Sequence, residues 1–154
     1  MQININAFTE DKRPMVRHHA MEFNADVIFM AELKSTDTGS LGIADYRPVL
    51  QPRTNHGGGV GMYLKDRRFD TAERVDISST DQMELVVVDV SKGLQSLRLA
   101  SLYCPPPAVF LPAPFLQIMS TTNAPFFWAA TSTCTAAPGR GSRKTKRVKI
   151  SKTL

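Results

Sequence analysis

The run Asp26-Val27-Ile28-Phe29-Met30-Ala31-Glu32 most constrains what this chain can fold into. Five apolar residues between two carboxylates read as a strand that delivers Glu32 to its exposed C-terminal end, followed by Leu33-Lys34. A carboxylate so placed builds half of a metal site. Upstream, Met1 to Phe8 alternates polar and apolar residues, as a half-buried strand does, and can present an amide beside that carboxylate. Any chemistry of this protein is expected at those two strand ends.

The chain has 154 residues, 42% hydrophobic and 21% charged, which is enough for one domain with a real core. No apolar stretch approaches the roughly 20 residues of a membrane helix, and the first residues lack the basic-then-apolar order of a signal peptide. A soluble, intracellular protein without membrane contact is expected. Cys104 and Cys134 form no metal-type spacing with each other or with His18, His19 and His56, so they read as idle thiols in a reducing compartment. The net charge of +5 conceals an uneven distribution. Arg140, Arg143, Lys144, Lys146, Arg147, Lys149 and Lys152 leave twelve basic against fourteen acidic residues in 1–139, a net of −2. A slightly acidic body carries a basic tail.

Pro14 can start a helix running to about Phe23, with Val16, Ala20 and Phe23 on one face. The stretch from Ser35 to Ser40 is turn chemistry. Strands are expected over Tyr46 to Leu50, Val60 to Leu64, Glu84 to Val90 and Leu94 to Tyr103, the last two joined by Ser91-Lys92-Gly93 with glycine at positive φ. The pattern is α/β, mostly sheet, without internal repeats. From Pro105 prolines interrupt any long element. From Ala129 the text is Ala, Thr, Ser, Gly and basic residues, too poor in apolar surface to offset ordering entropy. The folded part is therefore expected to stop near Trp128.

His56-Gly57-Gly58-Gly59 resembles the oxyanion-hole loop of lipases and esterases, but the G-x-S-x-G nucleophile elbow is missing from the sequence, which leaves a tight connection into the next strand. Adjacent His18 and His19 point to different faces of a helix and cannot easily share a metal. Lys144 to Lys149 has the composition of a nuclear-import or nucleic-acid patch, but no aromatic residues are interleaved for base stacking. Glu32 followed by a lysine also has an ordinary reading as a solvated strand end.

Four segments, Asn4-Ile5-Asn6-Ala7-Phe8, Asp26 to Lys34, Gly57-Gly58-Gly59-Val60-Gly61-Met62-Tyr63 and Ser101-Leu102-Tyr103-Cys104-Pro105-Pro106, stand in the order and spacing of a known series. Over about residues 1–128 the chain resembles the endonuclease/exonuclease/phosphatase family, most closely the apurinic-type endonuclease domain of non-LTR retrotransposons. There the first strand carries N-x-N-G, the second ends in Q-E-T/L-K, a Gly-Gly-Val hairpin follows, and a later strand ends in Y-x-P-P. The resemblance implies a four-layer α/β sandwich, here its N-terminal part, with two mainly antiparallel sheets and outer helices. It also implies a Mg²⁺-dependent phosphodiesterase that nicks DNA, with Glu32 holding the metal, Asn4 positioning metal and phosphate, and Tyr103 contacting the scissile phosphate. A nuclear location follows if that role is retained.

The departures are specific. Ala7 stands for the family's glycine and Ala31 for its glutamine. Neither the G-D-F-N motif, expected after a strand such as Pro125-Phe126-Phe127, nor the S-D-H segment occurs in the sequence. Without their base and second metal carboxylate, water activation loses contributors worth about 10²–10⁴ in rate for general base catalysis alone, so little or no activity is expected. Back-translating Phe127 to Gly139 and reading one base earlier forces Leu-Gly and permits Gly-Asp-Phe-Asn-Val-His-Ser-Ser-Ala-Trp. Residues from about 127 onward therefore read as out-of-frame translation, with 1–128 a partial domain and 129–154 a disordered basic tail. The alternative is a non-catalytic nucleic-acid-binding or interaction fragment that uses the tail. An incomplete sandwich also leaves sheet surface open to self-association.

Overall fold

The computed structural model describes residues 1–35, 41–52, 58–76, 83–104, 117–118, 120–121 and 124–132. Because β2 (Val27–Ala31) is apolar on both faces, it needs cover on both, and the fold supplies it. In the first sheet the order is β1-β2-β4-β3, with β1 at Gln2–Asn4, β3 at Tyr46–Gln51 and β4 at Val60–Lys65. Strands β1 and β2 run parallel, and the other two pairings are antiparallel. Pro48 lies in β3, which is an edge strand where a missing N–H is tolerated. In the second sheet β5 (Thr71–Asp76), β6 (Glu84–Lys92), β7 (Gln95–Cys104) and β8 (Phe126–Ser132) follow in order, with β7 and β8 parallel.

The sheets face each other across Phe29, Ala31, Val60, Met62 and Leu64 on one side and Val86, Val88, Val90, Leu99 and Tyr103 on the other. Burying side chains such as Met62, Val86 and Val88 contributes about 1.5–3 kcal/mol each before the entropy of ordering is subtracted. Helix α1 (Arg13–Glu22) lies on the outer face of the first sheet, where Val16 and Ala20 join Ile28, Met30 and Tyr63. Pro14 sits in its first turn, as expected, and the i, i+4 pair Val16 and Ala20 is fully buried. On the outer face of the second sheet Leu85, Val87, Ala100 and Leu102 pack with Ile118 and Trp128. This is the layered α/β sandwich of two mainly antiparallel sheets that the sequence predicts.

Several expectations change in detail. Phe23 does not share the core face of α1. It lies past the last helical residue and is 68% exposed, its ring stacked on His19. Strand β5 has no counterpart in the sequence reading, because Thr71-Ala72-Glu73-Arg74 is the polar text of an edge strand. The β6–β7 loop is the two residues Gly93-Leu94 rather than Ser91 to Gly93, since Lys92 pairs with Gln95. Gly93 does take the anticipated positive φ, +58°, while Leu94 leaves the strand for solvent. Strand β8 runs to Ser132, four residues past the expected end of the fold, because β7 offers it a full parallel ladder. His56, Gly57, Cys134, residues 36–40 of the turn segment and the basic tail lie outside the described residues.

Buried polar groups tie the layers together. The Tyr63 hydroxyl donates to the Leu41 carbonyl at 2.7 Å and the Tyr46 hydroxyl to Ala25 at 2.7 Å. Arg98, 3% exposed, makes paired bonds to Asp89 and also donates to the Ile118 carbonyl and Thr121 Oγ1, which anchors these two residues to the second sheet. The Asp89 hydrogen bonds raise the Arg98 pKa and outweigh its desolvation.

Tyr63→Phe leaves the Leu41 carbonyl unsatisfied and should lower unfolding free energy by about 1 kcal/mol in urea denaturation. Burial pushes the Tyr63 phenol above its ordinary value of 10. The folded state thus holds this proton where the unfolded state releases it, so stability should fall as pH rises past about 10. Tyr63→Phe should flatten that alkaline loss, which pH-dependent melting measures.

Candidate active site

At the C-terminal ends of β1, β2 and β7, three side chains converge. Asn4 Nδ2 donates to Glu32 Oε1 at 2.9 Å, and the Tyr103 hydroxyl donates to the same oxygen at 3.2 Å. Asn4 comes from the parallel neighbour of β2 and Tyr103 from the facing sheet, so the Glu32 carboxylate is bonded from both layers. Its side chain is 13% exposed, and Lys34 Nζ lies 3.6 Å from Oε2. The structure therefore brings together all three residues that the sequence nominates for the site.

Left-handed backbone holds this corner. Asn6, Ala7, Glu32 and Lys34 have φ of +44°, +73°, +58° and +50°. Such conformations cost non-glycine residues about 1–3 kcal/mol each and persist only where neighbours over-determine them. Here the neighbours do. From the β1 side, Ile5, Ala7 and Phe8 donate backbone N–H groups to the carbonyls of Ala31, Glu32 and Leu33. From the β4 side, Leu33 N–H reaches the Gly59 carbonyl at 3.1 Å and Lys34 N–H the Gly58 carbonyl at 2.7 Å. Lys12 Nζ closes the loop after β1 by donating to the carbonyls of Ile5, Asn6 and Ala7 at 3.0, 2.9 and 2.8 Å, which uses its three protons. Asn6 Oδ1 accepts from Lys34 Nζ, and Asn4 Oδ1 from the Asn6 N–H.

The donor set is one carboxylate and neighbouring side-chain amides. Among the described residues no group of three or more His, Cys, Asp or Glu could hold a metal, which leaves no closed soft-metal site. One carboxylate with an amide beside it, largely screened from solvent, does fit a hard cation that keeps most positions for water and phosphate. His18 is exposed and His19 is partly buried and pairs with Glu22, both on α1. Gly58 and Gly59, the described part of the glycine run, have φ of +105° and +89° and form the connection into β4.

Sequence reasoning missed Lys12, Asn6 as a partner of Lys34, and the buried Glu84. None carries a local signal. Lys12 reads as a solvated helix-flanking charge, and only the loop folded over it turns it into a three-carbonyl clasp.

The architecture is the endonuclease/exonuclease/phosphatase fold. The chain is similar to humanized D. rerio TDP2 carrying 14 mutations, with a TM-score of 0.61 and 16% identity over 84% of this chain and 63% of that one. It is similar to the human Nocturnin catalytic domain with bound sulfate anion, with a TM-score of 0.58 and 13% identity over 84% and 61%. The endonuclease domain of TRAS1, a telomere-specific non-LTR retrotransposon, gives a TM-score of 0.59 and 12% identity over 84% and 57%. The chain thus spans less than two thirds of the length of each. No family model and no curated protein matches it. Identities this low carry the architecture and not the chemistry.

Ala7→Gly should stabilise the protein. Relief of a left-handed alanine is worth about 1–2 kcal/mol and the added glycine entropy costs about 0.5–1, so a net gain of about 0.5–1 kcal/mol is expected in denaturant titration. A loss of stability would show that the corner is not strained at Ala7.

Proposed function

We propose that this chain is a diverged DNA endonuclease domain of the apurinic type found in non-LTR retrotransposons, a Mg²⁺-dependent phosphodiesterase in design and weak or inactive as it stands. The convergence of Asn4, Glu32 and Tyr103 from both sheets on one carboxylate carries this reading. Glu32, with Asn4 beside it, would hold the cation. When bound, Mg²⁺ stabilises negative charge on phosphoryl oxygens. The Tyr103 hydroxyl and Lys34 ammonium stand next to Glu32 and would donate to a phosphate there. DNA as substrate is supported by D. rerio TDP2, a structure of similar fold complexed with single strand DNA product.

Weak activity follows from the missing G-D-F-N and S-D-H segments. The register of β8 bears on the first of these. A shift of one base keeps codon positions aligned, so the aspartate of the shifted Gly-Asp-Phe-Asn falls at position 131. Thr131 pairs with Tyr103, at the end of β7 that bears the site. The out-of-frame reading from about residue 127 would thus bring the missing aspartate to the register partner of Tyr103. The non-catalytic alternative, binding through the basic tail, is favoured by the seven cations between residues 140 and 154. Self-association has a natural starting point at β8, one of the two edge strands of its sheet among the described residues.

The purified chain should nick supercoiled plasmid slowly or not at all in Mg²⁺, and any nicking should vanish with EDTA and in Glu32→Ala. Thr131→Asp with Thr133→Asn should raise it by about 10-fold or more, against the 10²–10⁴ of a complete base apparatus. Nicking that survives Glu32→Ala would overturn the site. Sequencing the gene across codons 126–140 tests the frame: a −1 reading other than Gly-Asp-Phe-Asn rules it out. Deleting residues 140–154 should abolish salt-dependent DNA retention only if the tail is the binder.

A further inference from the structure

Glu84 is the most deeply buried carboxylate among the described residues, at 0% exposure, and the chemistry proposed above does not use it. It begins β6 and is the register partner of Tyr103 on β7. Its neighbours Val86 and Val88 point into the inter-sheet core, while Leu85 and Val87 point outward, so strand alternation places Glu84 toward the first sheet. There its Oε2 accepts the Gly59 N–H at 2.5 Å.

That bond meets the segment carrying Glu32. Gly59 offers its carbonyl to Leu33 N–H, and Gly58 offers its carbonyl to Lys34 N–H. These two bonds fix the residues that follow Glu32, whose own φ of +58° must be held in place. Gly58 and Gly59 are themselves in conformations with many alternatives, φ +105° and +89°, and have no side chains to lock them. A buried hydrogen bond from Gly59 to the Glu84 carboxyl supplies a restraint that their missing side chains cannot. A carboxylate is a costly group to keep away from water, and a short backbone bond at a glycine connection gives it a specific task.

We infer that Glu84 is a positioning residue for the Glu32 site: it pins the Gly58-Gly59 connection from the opposite sheet and so sets the direction in which the Glu32 carboxylate is presented. Glu84 and Tyr103, side by side on the second sheet, act on Glu32 together, one through its backbone and the other on its carboxylate. The inference rests on the metal-site reading of Glu32 but has a readout independent of it.

The test uses the full 154-residue chain with Glu84→Gln and Glu84→Leu. Glutamine keeps the size and an acceptor oxygen, and leucine removes the bond. The first readout is the ¹³C signal of the Glu32 carboxyl in metal-free protein, assigned with Glu32→Gln. Both variants should move it, leucine further. The second is binding of Mn²⁺ alone, followed by its paramagnetic signal. Loss of an outer partner of a metal ligand typically weakens metal affinity about 10–100-fold, so leucine should lie in that range and glutamine at about 3–10-fold. An unmoved Glu32 signal in Glu84→Gln, with Mn²⁺ affinity within about twofold of the parent, would overturn the inference even if the melting temperature falls, because a merely structural role moves only stability. If Glu84→Leu does not fold, Glu84→Gln decides by the same two readouts. If the parent chain binds no Mn²⁺, the metal-site reading fails by itself, and the Glu32 signal still accepts or rejects the positioning role.

Discussion

A strand that is apolar on both faces cannot stand at a surface, and most of this fold follows from covering β2. Ile28 and Met30 face α1, and Phe29 and Ala31 face the second sheet. The strand is also hydrogen-bonded along both edges, parallel to β1 and antiparallel to β4. With its sides and edges all occupied, the only exit for its chain is forward, past Ala31. Glu32 therefore emerges where two layers and three strand ends meet, and where any partner it finds must come from another element.

That exit is tight. Four non-glycine residues with positive φ around one carboxylate form a concentration of backbone strain that ordinary packing would not maintain. It is held by bonds from β1, from the Gly58-Gly59 connection and from Lys12. Each bond contributes about 0.5–1.5 kcal/mol net, so several are needed to hold conformations that cost about 1–3 each. Such over-determination suits a site that must present one oxygen pair in a fixed direction. The Ala7 conformation, φ +73°, is one that a glycine would adopt with less strain.

Much of this was legible in the text of the chain. The apolar run ending at Glu32 and the stretch ending at Tyr103 each form a strand within a residue of that end, because short-range periodicity reflects which face is buried, whereas of the alternating stretch Met1 to Phe8 only Gln2–Asn4 is strand. The reading failed where local text and tertiary role diverge. Strand β5 is an exposed edge and lacks an apolar stripe. Phe23 looked like core but follows the helix end. Strand β8 reached Ser132 on residues of low apolar content because β7 supplied the pairing that composition does not display. Glu84 was read only as the first letter of a strand.

The sequence by itself determined a mostly-sheet α/β architecture and the strands at or near whose ends Asn4, Glu32 and Tyr103 stand, since burial pattern and chain order are local properties. Tertiary structure alone decided that those three ends meet on one oxygen, that Lys12 clasps three carbonyls, and that a glutamate 52 positions beyond Glu32 reaches the glycine bonded behind it. These contacts join residues from different elements, and their distances depend on sheet order and register, which no local pattern encodes.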